Sequence, residues 1–370
     1  MRFSSLVSLA LFAPFALAQT YIVDANNGPG TDFVTLAAAT AAVPDGSVLL
    51  VRVGNYADFQ VANKGLKILA EPGALLVSGV QQTSSSISGV PAGKSVVVRG
   101  LLWAQGLPTG RAQLHCTASA GAILIEGLRM PASGRLAFIS VRDCEQVVIR
   151  DMRNDLGPTY LELRQSHTVL ENCAIGGGLV VGSGVVQHGG SLQVVDCDLA
   201  GGFPFGTSQP TAVEMHGGEL RMLGATTLFT LTAFAVGGTA GNVRADPSLG
   251  LSPSEFAPTL TVGFEAMPTL TTRFASGIAT AELGGPSGAF GAIAIALPGP
   301  RLALSGADDP LWLDVDSFAF LAFGTLGSTP LTRTLSWSGG LVPGARTIWQ
   351  GASLGAAGFA VSNPSALILP

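Results

Sequence analysis

Apolar residues in this chain come in short runs rich in Val, Ile and Leu, separated by Gly, Asn, Asp and Pro. Helical i, i+3, i+4 spacing is almost absent. The exception is Phe33, Leu36, Ala39 and Val43 in an Ala-rich stretch that ends at Pro44-Asp45-Gly46, which predicts one short amphipathic helix. Strands are expected next at 48–53, 59–61 and 66–69. Further runs follow at 96–103, 123–128, 136–141, 147–152, 160–163, 169–175, 192–199, 213–223 and 228–236. A helix ahead of such a column would cover its first coil, which otherwise exposes an apolar interior and a pairing edge.

The runs echo one another. Val or Leu, any residue, Asp or Asn, then Cys occurs at Val141-Arg142-Asp143-Cys144, Leu170-Glu171-Asn172-Cys173 and Val194-Val195-Asp196-Cys197, with the cysteines 29 and 24 residues apart. His188-Gly189-Gly190 returns 28 residues later as His216-Gly217-Gly218. Self-similarity at this period signals stacked coils, and coils made of strands and turns form a parallel β-helix. Coil stacking would set Cys144, Cys173 and Cys197 about 4.8 Å apart in one inward column, which points to reduced, packed thiols. With Cys116, the four cysteines also allow three disulfide connectivities, and the stacking distance is one a disulfide tolerates.

The pattern breaks at 244–258, where Pro247, Pro253 and Pro258 stand with little periodicity, so residues 246–259 are read as a linker after a β-helix domain of residues 19–245. Residues 260–370 alternate short apolar runs with Gly/Pro turns and predict a small antiparallel β-sandwich.

Composition changes the picture in two ways. Met1-Arg2, an apolar stretch and Ala16-Leu17-Ala18 make residues 1–18 a secretory signal peptide, with cleavage after Ala18 and a secreted or cell-surface destination. No later apolar run approaches the ~20 residues of a transmembrane helix. A net charge of −5 with 16 Arg and 3 Lys leaves no basic stripe, which excludes nucleic acid as a partner. With 47% hydrophobic and 12% charged residues, the chain must bury much of itself.

Phe33-Val34-Thr35-Leu36, the Ala run, Asp45-Gly46, Val51-Arg52-Val53-Gly54-Asn55-Tyr56 and Lys64-Gly65-Leu66-Lys67-Ile68 together resemble the opening of pectin-lyase-like right-handed β-helix proteins. The resemblance implies an all-β, right-handed parallel β-helix whose groove runs along one sheet and meets a sugar chain. It does not bring the family's chemistry with it. Of the polygalacturonase motifs only His-Gly is matched, at His188-Gly189 and His216-Gly217. The Asn-Thr-Asp, paired-Asp and Arg-Ile-Lys elements are missing. Near the end, Val342-Pro343-Gly344-Ala345-Arg346, Trp349-Gln350-Gly351 and 359–363 resemble a β-module found at the C-terminus of exported bacterial surface proteins.

Two groups of residues are candidates for chemistry. Asp151, Arg153 and Asp155 alternate at period two, which would place them on one strand face, with Asp143 and Glu145 before them and Glu162 and Arg164 after. Such a patch can supply an acid and a base or oxygen ligands for Ca²⁺; the plainer reading is a ladder of compensating charges on a solvated sheet. His188 and His216 should stack on neighbouring coils with Glu214 alongside, too few ligands for a closed metal site. Asp308-Asp309-Pro310 reads as a turn. The expectation is therefore an exported, non-catalytic module that binds polysaccharide or another surface component. A divergent polysaccharide lyase or glycoside hydrolase using the Asp143 to Arg164 patch is the alternative, and a structural envelope component the third.

Overall fold

The computed structural model describes residues 19–78, 84–105, 112–130, 137–154, 159–176, 182–202, 209–305, 307, 309–336, 344–356 and 358–368. A parallel β-solenoid of about 8 turns runs through the first two thirds of the chain. Its main sheet stacks Thr20–Val23, Val48–Val51, Leu66–Ala70 and Ser95–Arg99. The longer strands Ala112–Glu126, Ala137–Arg150, Thr159–Glu171, Val185–Val195, Val213–Leu223 and Val236–Ala245 continue it. A second parallel sheet stacks short strands from Gly54–Tyr56 to Thr227–Phe229.

Two columns of left-handed residues shape each coil. The first bends the long strand midway, at Ala118 (φ 47°), Asp143 (φ 52°), Gln165 (φ 45°) and Gly189 (φ 79°). The second turns it into the short strand, at Gly100, Gly127, Asp151 (φ 53°), Asn172 (φ 51°), Asp196 (φ 51°) and Gly224. Asp and Asn tolerate this conformation better than other side chains, so they recur at both corners. The residue after the second corner points inward, and Leu101, Leu128, Met152, Cys173 and Cys197 form one fully buried column.

This corrects the expected three-cysteine column. Cys144 lies at the first corner, opposite Ser119, and its N–H donates to Ser166 Oγ at 3.1 Å; Cys173 and Cys197 lie at the second. One local device, a left-handed Asp or Asn followed by a small inward residue, serves both corners and so repeats out of phase with the coil. All four cysteines are buried and free. Burial pushes the Cys144 thiol up to about 11 and also raises Cys116 and Cys197 well above the ordinary thiol value.

The expected helix is present as Leu36–Ala42, where the Thr35 hydroxyl accepts from the Ala38 N–H and Leu36 and Ala39 sit in the solenoid core. The expected linker is not a tether. Pro247–Leu249 and Pro253–Glu255 are 3₁₀ turns, Phe256 is buried in the solenoid core, and Thr261–Phe264 pairs in parallel with 242–245, so the solenoid extends to Phe264 rather than 245. Proline suits the first position of a helical turn, so proline density here marks tight turns.

The C-terminal region forms antiparallel sheets. Thr269–Ala275, Ile278–Gly284 and Leu331–Ser336 make one; Ala319–Thr325, Phe290–Ala296, Arg346–Gly355 and Gly358–Ile368 make another. Leu270, Leu283, Ile293, Trp349 and Leu367 belong to one apolar core within this region. The opposite face of the second sheet packs through Ala294, Ala296, Ile348, Ala366 and Ile368 on solenoid residues Val97, Leu124, Val148 and Val169.

Buried polar groups also cross this contact. Arg150 donates to the Ala366 carbonyl at 2.7 Å, and the Ser365 hydroxyl donates to Glu171 at 2.9 Å. Asp309 pairs with Arg221 at 2.5 Å and Arg244 at 3.2 Å. The Asp309 carboxylate, in a segment read from the sequence as a turn, is a buried counter-charge, and desolvation raises its pKa against the pull of both guanidiniums. Asp308 lies outside the described residues.

Candidate functional site

The bend in each long strand creates two outward faces, and among the described residues the C-terminal sheets pack on the one after the bend. Period-two alternation decides what it displays. Leu161, Leu163, Val185, Gln187, Val213 and Met215 point inward and are buried. Tyr160, Glu162, Arg164, His188, Glu214 and His216 point outward between them. Register aligns Glu162 with Val186 and Val186 with Glu214, and Arg164 with His188.

The His188 and His216 rings stack with centroids 4.8 Å apart and planes 15° off parallel. Glu162 accepts from Arg164 Nε at 2.7 Å, and His188 Nε2 stands 4.0 Å from the same carboxylate oxygen. Glu214 lies 2.9 Å from His216 Nε2 and accepts from the Ser183 hydroxyl at 2.8 Å. On its other side the His216 ring places Nδ1 3.2 Å from Thr239 Oγ1. Partial burial, with Arg164 and His216 nearby, lowers the His188 pKa and favours its neutral ring. Burial, then the Glu162 and Glu214 carboxylates, raises the Tyr160 phenol, so the three groups share one field.

Aromatic side chains extend the strip along the solenoid axis. Tyr160 stacks on Phe138 with centroids 5.3 Å apart and planes 10° off parallel, and His115 lies 5.8 Å beyond Phe138. Burial lowers the His115 pKa. At the other end a cleft of about 600 Å³ opens beside Glu214, lined also by Ser183, Thr211, Phe234, Gly237 and Thr259. The strip therefore offers ring faces and edges, carboxylate acceptors, and guanidinium and imidazole donors, a set suited to hydroxyl-rich ligands.

The residues singled out in the sequence divide between two places. Glu162, Arg164, His188, Glu214 and His216, taken there as two separate groups, form one site. Asp151 and Arg153 do not join it. The left-handed Asp151 ends the long strand, so these two residues straddle a corner and share no strand face. They line a different groove of about 1220 Å³, together with Arg99, Glu126, Arg129 and Asn172. There Asp151 accepts from the Asn172 amide and pairs with Arg150 at 3.5 Å, a corner-stabilising arrangement. Asp143 occupies the first corner, and Asp155 lies outside the described residues.

Among the described residues, no group of three or more His, Cys, Asp or Glu side chains converges as metal ligands. Sequence reasoning passed over His115, Phe138, Tyr160 and Ser183. Their signal is the Phe138-x-Ser140-x-Arg142 and Tyr160-x-Glu162-x-Arg164 alternation, visible only once coils are aligned on their bends. No helix among the described residues is long and apolar enough to cross a membrane. No protein-family model matches the chain, and no curated protein matches it.

Proposed function

We propose that this chain is an exported, extracellular or cell-surface protein of the right-handed, pectin-lyase-like β-helix type. In this reading the helix Leu36–Ala42 caps the first coil, the C-terminal sheets form a β-sandwich, and the open face from Phe138 to His216 binds polysaccharide without turning it over. The observation that carries the reading is the uncovered strip itself, where the Phe138 and Tyr160 rings adjoin the Glu162–Arg164 and Glu214–His216 pairs. Each carboxylate already has a partner side chain, Arg164 for Glu162 and His216 for Glu214, which suits recognition of hydroxyls better than proton transfer.

One observation favours a catalytic second reading. Glu162 and Glu214 stand two coils apart in register, about 9.6 Å by strand spacing, near the upper end of the ~6.5–9.5 Å at which inverting glycosidases set their carboxyl pair. A screen of the purified chain against polysaccharides, with and without Ca²⁺, separates the two by following both retention and new reducing or unsaturated ends. Retention without product is the expected result. Product formation that disappears in Glu162→Gln or Glu214→Gln would replace binding by catalysis.

A further inference from the structure

The groove of about 1220 Å³ lies along the second corner of successive coils, where the long strands turn into the second sheet. Its lining changes in character along the solenoid axis. Leu69 and, one coil on, Leu102 are half-buried and make one end apolar. Leu102 is in register with Arg129 on the next coil, and Arg129 with Arg153 on the one after, so the other end is cationic.

The charges at that end are not balanced by the carboxylates nearby, each of which is engaged elsewhere. Glu71 accepts from the Val53 N–H at 3.2 Å, Glu126 pairs with Arg99 at 3.1 Å, and Asp151 pairs with Arg150 at 3.5 Å. Arg129 and Arg153 are exposed and have no carboxylate partner among the described residues. Arg153 keeps a long 3.4 Å contact with Asn172 Oδ1. Strand spacing sets the backbones of the two arginines about 4.8 Å apart, close enough for the like charges to repel. An anion placed between them removes that repulsion, and two guanidinium forks side by side match the several oxygens of a tetrahedral oxyanion.

The floor between the two ends is bare. Left-handed Gly100 and Gly127 form the corner on the coils of Leu102 and Arg129, where the next two coils carry left-handed Asp151 and Asn172. Asn adopts this conformation as well as Gly does at such corners, and a Cβ at Gly127 would meet nothing closer than 3.8 Å. Neither backbone nor packing therefore demands glycine at 127, and its effect is to leave the path from Arg129 to Leu102 open. We propose that this groove is a second binding site, for a phosphate monoester with an apolar arm. The phosphate lies between Arg129 and Arg153, and the arm runs over Gly127 and Gly100 onto Leu102 and Leu69, roughly 10–14 Å by strand spacing. Two unpaired cations match the nearly two negative charges of a phosphate monoester better than the single charge of a carboxylate. The site is separate from the open strip and does not depend on that strip binding sugar.

Calorimetric titration of the purified chain near neutral pH with octyl phosphate, kept below its micellar concentration, tests the site beside inorganic phosphate and octyl glucoside. Octyl phosphate should bind at least about tenfold more tightly than inorganic phosphate, since a few buried methylenes suffice for that, and octyl glucoside should not bind. Arg129→Gln with Arg153→Gln should weaken octyl phosphate by at least about tenfold. Gly127→Asn, which keeps the corner and obstructs the floor, should bring octyl phosphate down towards inorganic phosphate. Both variants should melt like the wild type, and Tyr160→Ala should bind octyl phosphate unchanged. No binding by the wild type, equal binding of octyl glucoside, or wild-type binding by the arginine or Gly127 variant overturns the proposal. Capture on phosphatidic-acid vesicles without binding of octyl phosphate overturns it as well, because it assigns the groove to a membrane surface.

Discussion

The two halves of each long solenoid strand, either side of its bend, have the same backbone and opposite fates. Before the bend, outward positions carry Tyr160, Glu162, Arg164, His188, Glu214 and His216 and stay open. After it, outward positions carry Val97, Leu124, Val148 and Val169, and the C-terminal sheet covers them. A parallel strand buried on both faces loses its alternation and reads as a continuous apolar run, as in Ser95–Arg99. The comparison teaches that in a solenoid the outward positions, not the inward ones, distinguish surface from scaffold.

The largest effect expected from breaking this contrast lies in the buried charges of the covered side. Asp309→Ala leaves the Arg221 guanidinium without its closest counter-charge, and removing one partner of a buried pair costs about 3–5 kcal/mol. Urea unfolding should show that loss. Next in size, the same change placed on the two faces should give different answers. Val148→Asn puts an amide into the apolar contact and should cost about 3 kcal/mol. Arg142→Asn, at an exposed position before the bend, should stay within about 0.5 kcal/mol.

A further effect, of comparable size to the Val148 change, concerns pH. Desolvation at the interface raises the Glu171 carboxyl from 4.5 to about 7, with Arg150 and the Ser365 hydroxyl opposing the shift. Between those values the unfolded chain has released a proton that the folded chain keeps. Stability from this group is therefore greatest below pH 4.5 and declines until about 7. Melting temperature followed across that range should fall in the wild type, and Glu171→Gln should remove this component of the slope.

Much of the fold was legible because its repeat is written twice, in apolar runs and in Asp/Asn corners. The same economy misled the cysteine reading, since Asp143-Cys144 and Asn172-Cys173 solve the same local problem at different corners. Asp151 and Arg153 looked like a strand face because period two assumes an unbroken strand, and a left-handed residue breaks it. The His188–His216 stack followed from coil spacing alone. Its union with Glu162 and Tyr160 did not, because joining three coils requires their register. Asp309 could not be placed from its neighbours, since its partners Arg221 and Arg244 lie more than sixty residues away.

The most direct test of the account compares retention of the purified chain on a polysaccharide panel between Tyr160→Ala and Arg153→Ala. The account predicts that the wild type is retained. It also predicts that Tyr160→Ala, which removes the ring stacked on Phe138, loses about tenfold in affinity without a change in melting temperature. Arg153→Ala, in the other groove, should bind like the wild type. No retention of the wild type, or a loss confined to Arg153→Ala, would contradict the assignment of the open face as the ligand surface.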